Sequence, residues 1–92
     1  MAPDLTAIAA AAYRLAAEAE FHRDWTQFDA IRAIYAARAE SYRHIADDAL
    51  CATDPAYPCE ASLASVMESF AEDDELAAEY ARATSVARQE AA

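Results

Sequence analysis

Ninety-two residues with a formal net charge of −10 and 57% hydrophobic side chains make one domain, large enough to fold without an obligatory metal or disulfide. Alanine supplies about half of that hydrophobic share, so the expected core is thin and the helix propensity high. The chain has no glycine, which excludes phosphate-binding loops, dinucleotide fingerprints and nucleophile elbows, all of which use glycine where the backbone turns sharply or approaches a phosphate.

The charge is unevenly spread. Residues 1–45 carry six acids and five arginines, a net of −1, while residues 46–92 carry eleven acids against Arg82 and Arg88, a net of −9. Such a surface repels nucleic acid and anionic membranes and attracts cationic proteins. The alanine-rich start lacks a cationic leader, and Tyr13 and Arg14 interrupt it early. It reads as neither a signal peptide nor a membrane span, so a cytoplasmic location is expected.

The first predicted helix runs from about residue 4 to 21. Pro3-Asp4 supplies an N-cap, and Leu5, Ile8, Ala12, Leu15 and Ala19 fall on one stripe. "HRDWTQ" then shifts the phase, and Asp24 with Gln27 reads as a capping box for a second helix over residues 25–50. In that helix Phe28, Tyr35 and Tyr42 fill one register and Ile31, Arg38 and Ile45 the other. An aromatic stripe at this spacing reads as core. Arg38 is out of place in it, and either snorkels outward or pairs with a carboxylate of the last helix.

The connector "ATDPAYP" cannot continue a helix through Pro55 and Pro58. Cys51 and Cys59 flank it. In a reducing compartment they read as thiols, although a disulfide closing the short loop is sterically conceivable. A third helix over residues 59–90 presents Leu63, Val66, Met67 and Phe70, then Leu76, Ala77, Tyr80, Ala83, Thr84 and Ala87. A break near Asp73 would divide it in two. The expected architecture is an all-α antiparallel bundle of three or four helices.

Reactive chemistry is sparse. Glu40 and His44 stand one turn apart, and His44 with Cys51 and Cys59 lacks both a fourth ligand and the close cysteine pair of a zinc site. No local signature sets a nucleophile beside either histidine. The chain therefore reads as non-enzymatic, with no catalytic residue, no metal and no cofactor.

From residue 41 onward the pieces "SYRHIA", "DPAYP", "ASVMESFAEDDEL" and "AEYARATSVARQE" occur in an order that resembles the helix-turn-helix region of phage terminase small subunits. The resemblance implies a DNA-recognition helix over Ser62–Phe70. It also implies departures, because that family carries an arginine and a tryptophan beside an S-T-V core. This chain has Glu68 and Ser69 after "SVM" instead.

The segment "ESFAEDDELAAEY" holds Glu68, Glu72, Asp73, Asp74, Glu75 and Glu79 without a cation. If a helix starts near Asp73, its first-turn acids are favoured by the macrodipole, and Arg82 relieves Glu79. If the helix is continuous, Glu68, Glu72, Glu75 and Glu79 share one face at about 5–6 Å along the axis, a charged row suited to an Arg/Lys-lined groove. On that second reading the six acids bind a partner. The chain is then expected to be a phage or mobile-element inhibitor, anti-CRISPR-like or a DNA mimic, docked on the cationic surface of a nucleic-acid-handling protein. A terminase-like DNA-recognition protein and an antitoxin or immunity protein are the alternatives. A thin alanine core gains from further burial, which points to a homodimer.

Overall fold

The computed structural model describes residues 3–53 and 60–91, with side chains of the last helix described through Ser85. Four helices follow one another: α1 (Leu5–Trp25), α2 (Asp29–Ala52), α3 (Glu60–Glu72) and α4 (Asp74–Ala91). The fold is the expected all-α bundle, with four helices and no strand among the described residues.

Helix α1 begins where the sequence places it. The Asp4 carboxylate accepts from the backbone N–H groups of Thr6 and Ala7 at 3.0 and 3.4 Å, satisfying two of the free donors of the first turn. Its end lies one turn beyond residue 21, at Trp25, where Thr26 turns extended at φ −81° and ψ 144°. Asp24 therefore cannot cap α2, as the capping-box reading required. It lies inside α1 and pairs with Arg23 at 3.0 Å. The second helix starts at Asp29, four residues later than expected, with Phe28 at the cap position and no side-chain cap bond. Arg32 holds this turn instead, reaching the Thr26 carbonyl at 3.0 Å and Asp29 at 3.3 Å.

The break near Asp73 is real, and a single residue makes it. Asp73 Oδ1 accepts from the N–H groups of Glu75 and Leu76 at 3.0 and 3.1 Å, while its own N–H still closes the last turn of α3 on Ser69 at 2.9 Å. One side chain thus ends α3 and caps α4.

Helices α1 and α2 form an antiparallel hairpin, α3 lies against α2, and α4 crosses α1. The core occupies the end of the hairpin away from its turn, around Ile8, Leu15, Tyr42, Val66 and Leu76. The buried residues of α1 and α2 are mostly alanine: Ala9, Ala11, Ala12, Ala16 and Ala19 on one helix, Ala39, Ala46 and Ala49 on the other. Small side chains at a helix contact let the two axes approach at the short end of the usual range.

The expected α1 stripe is buried at Ile8, Ala12, Leu15 and Ala19. The aromatic register of α2 is not core throughout. Tyr42 is buried, whereas Phe28, two heptads earlier beside the turn, is 67% exposed. The radius of gyration, 14.3 Å, exceeds the ~12 Å of a compact chain of this length. The disulfide question involves Cys59, and the proline connector covers 54–58; both lie outside the described residues.

Candidate binding site

With the break at Asp73, the four glutamates do not form one helical row. Glu68 and Glu72 belong to α3, Glu75 and Glu79 to α4. The six acids divide instead into those that build the fold and those that face outward.

Asp73, Glu75 and Glu79 are structural. Besides capping α4, Asp73 accepts through Oδ2 from the Tyr42 hydroxyl at 2.9 Å. Burial, and then this hydrogen bond, push the Tyr42 phenol up to about 12. Glu75 pairs with Arg38, whose guanidinium also lies 5.7 Å from the Tyr42 ring centroid. Arg38 thus joins the α2 stripe because a carboxylate of the last helix receives it. Glu79 is 5% exposed, the one charged side chain in the buried class among the described residues. Arg14 Nε donates to its Oε1 and Arg82 to its Oε2 at 2.7 Å, so both oxygens are satisfied. The Glu79 hydrogen bond also holds the Arg14 guanidinium above its ordinary value. An uncompensated carboxylate at this depth would cost several kcal/mol, on the order of 3–5.

Glu68, Glu72 and Asp74 remain. All three are exposed, and none forms an ion pair with a described residue. Glu72 and Asp74 flank the capping aspartate, so the α3–α4 junction is an elbow with acids on both sides. Glu72, Asp73, Asp74 and Glu75 line a groove of about 470 Å³ with Ser69, Tyr42 and Ile45. A second groove, about 380 Å³, runs between α1, α2 and α4 past His22, Tyr35 and Glu18. The Arg38–Glu75 pair lines both and forms the wall between them.

The described arginines are all engaged. Arg14, Arg23, Arg32, Arg38, Arg43 and Arg82 each pair with a carboxylate. None offers an unpaired guanidinium to a phosphate. Ser62–Phe70, the stretch the terminase resemblance marks for DNA recognition, lies within α3 and contains Glu68 and no arginine. His44 faces Asp48 at 3.5 Å, one turn on, rather than Glu40. Among the described residues no group of three or more His, Cys, Asp or Glu side chains is arranged to hold a metal ion. No described helix is long and apolar enough to cross a membrane.

Sequence reasoning missed two members of the site, Arg14 and Tyr42. Arg14 was visible only as a charge on α1, 65 positions from Glu79. The α2 periodicity places the Tyr42 ring in the core, where it lies, and is silent about its hydroxyl.

Fold and site together define a small acidic four-helix protein with an ion-paired interior seam and an outward acidic elbow. Among known proteins, no family model, no curated sequence and no solved structure matches the chain.

Proposed function

We propose that this protein acts by binding and that its acidic elbow docks on the cationic surface of a nucleic-acid-handling protein. This is an inhibitor role of the phage or mobile-element kind. The observation that carries the reading is the exposed set Glu68, Glu72 and Asp74, none ion-paired with a described residue, in the half of the chain with net charge −9. Three carboxylates held on two helix ends present a fixed negative potential. A complementary Arg/Lys surface would be steered toward it and oriented by it. The evenly spaced row that would copy a nucleic-acid backbone loses its basis at Asp73, so the elbow works as a compact anionic patch rather than as a replica of duplex phosphates. Engagement of every described arginine weighs against direct DNA binding as the alternative.

The test compares two double charge reversals of equal net charge against an arginine-rich nucleic-acid-binding peptide, titrated by fluorescence anisotropy. Glu68→Arg with Glu72→Arg should weaken binding by about tenfold or more, whereas Glu40→Arg with Glu60→Arg should stay within about threefold. Equal losses for the two variants would reduce the elbow to net charge alone and overturn the proposal. Salt-sensitive retention of a duplex oligonucleotide by the unmodified protein would overturn it in favour of the DNA-recognition reading.

A further inference from the structure

The turn end of the α1–α2 hairpin carries an uncovered apolar surface. Trp25 is 75% exposed, Phe28 67%, Ile34 65%, Phe21 58% and Ile31 40%. Phe21 and Trp25 stand one turn apart on α1 with ring centroids 5.9 Å apart. Across the hairpin the His22 ring stacks on Tyr35 at 5.2 Å, tying the two helices together at this level. Phe28 and Ile31 lie on the same α2 stripe that Tyr35, Ala39 and Tyr42 continue inward. This stripe is buried farther along, at Ala39 and Tyr42, and is exposed at Phe28 and Ile31. The tip is therefore core-type surface left exposed.

We propose that a second copy of this chain covers it, two hairpin tips meeting about a twofold axis. Area supports this occupant. The three aromatic side chains, at ~200 Å² each, leave about 400 Å² exposed. The two isoleucines bring the apolar area to about 550 Å² per copy, at the top of what a monomer's largest patch usually shows. Two copies would remove about 1,100 Å² of apolar side chain from water. That is the non-polar share expected of a standard interface of 1,200–2,000 Å² in total.

Charge supports the same occupant. A chain of net charge −10 repels its own copies unless they meet where the charge is balanced. Around the tip the charges are neutralised in pairs: Arg23 with Asp24 and Arg32 with Asp29. The elbow lies away from the tip: Glu75, next to Asp74, meets Arg38 ten residues, or about 15 Å, along α2 from Phe28. Tip-to-tip contact is thus the arrangement that joins apolar surfaces while keeping the two acidic elbows apart. In a twofold contact residue i of one copy meets residue j of the other and j meets i, so one patch complements itself.

Analytical ultracentrifugation of the full chain across a concentration series tests the proposal. The protein should convert from monomer to dimer with a Kd on the order of micromolar. Emission of the chain's single tryptophan, Trp25, should shift to shorter wavelength over the same range. The double variant Trp25→Glu/Phe28→Glu should remain monomeric with an unchanged helical circular dichroism spectrum, because both side chains are exposed. Trp25→Phe, which keeps the apolar area, should still dimerise. A wild-type protein that stays monomeric at every concentration overturns the proposal. So does a dimer that survives the double glutamate change, or a monomer whose Trp25 emission shifts only on phosphatidylcholine vesicles.

Discussion

Replacing Asp73 with alanine removes three hydrogen bonds at once. Two are the cap contacts to the N–H groups of Glu75 and Leu76, and the third is the acceptor for Tyr42. Loss of an aspartate N-cap costs about 1 kcal/mol. Tyr42 is 5% exposed, and leaving its hydroxyl without a partner adds about 1–3 kcal/mol. Together the change should destabilise by about 2–4 kcal/mol, a large fraction of the 5–15 kcal/mol typical of a whole domain. The melting temperature should fall by roughly 10–20 °C. Asp73→Asn keeps both a capping oxygen and an acceptor, so it should cost less than about 1 kcal/mol. Urea unfolding followed by circular dichroism gives both values. A cycle with Tyr42→Phe isolates the shared hydrogen bond, which should appear as a coupling of about 1–2 kcal/mol. The sign of the first result is the decisive part. Were α3 and α4 one continuous helix, Asp73→Ala would replace an acid among acids with the best helix former and stabilise the protein by about 0.5 kcal/mol. A neutral or stabilising Asp73→Ala would refute the elbow.

Two further outcomes follow from the interior. The Tyr42 phenol is raised from 10.0 to about 12, so the folded state keeps a proton that the unfolded chain loses. Its contribution is whole below about pH 10 and is lost as pH rises to about 12, by roughly 2–3 kcal/mol relative to Tyr42→Phe. Urea midpoints of the two proteins should converge across that window, and a constant difference would contradict the assignment. At the helix seam, Ala12 is fully buried while Ala10 on the same helix is exposed. Ala12→Leu should therefore cost about 1–3 kcal/mol through overpacking, and Ala10→Leu should stay within about 0.5 kcal/mol. Equal effects at the two sites would mean that the helices are not in close contact there.

Local signals in the sequence were reliable where the neighbours they depend on are also local. Asp4 caps α1 because the donors it satisfies are two and three residues away. The Glu79–Arg82 pair, three residues apart, is formed as its spacing suggests. The periodicity of α2 correctly marked an inward stripe. It could not show where along that stripe burial stops, since this depends on packing against segments distant in sequence. Phe28 and Tyr42 share a register and differ in fate for that reason. Alanine was discounted as a core former on area, yet it fills the seam because nearness of backbones, not side-chain bulk, makes the contact. The acidic segment contained two kinds of carboxylate that look alike in one dimension. Only distant partners separate them: Arg14 for Glu79, Arg38 for Glu75 and Tyr42 for Asp73.

The alanine seam bears on how this chain can diverge. Glycine is the sole residue smaller than alanine, and inside a helix it costs about 1 kcal/mol. Serine, close to alanine in size, would bury a hydroxyl that needs a partner, and every bulkier replacement at Ala9, Ala12, Ala16, Ala46 or Ala49 overpacks a buried position. These positions have almost no neutral neighbours in sequence space. The elbow acids and the tip aromatics, standing in solvent, carry no such packing constraint. Descendants of this chain would be expected to keep the spacing of their small residues while their charges and aromatics drift. A spaced pattern of alanines is therefore the trace by which distant kin of this protein would be recognised, even where nothing on their surfaces still corresponds.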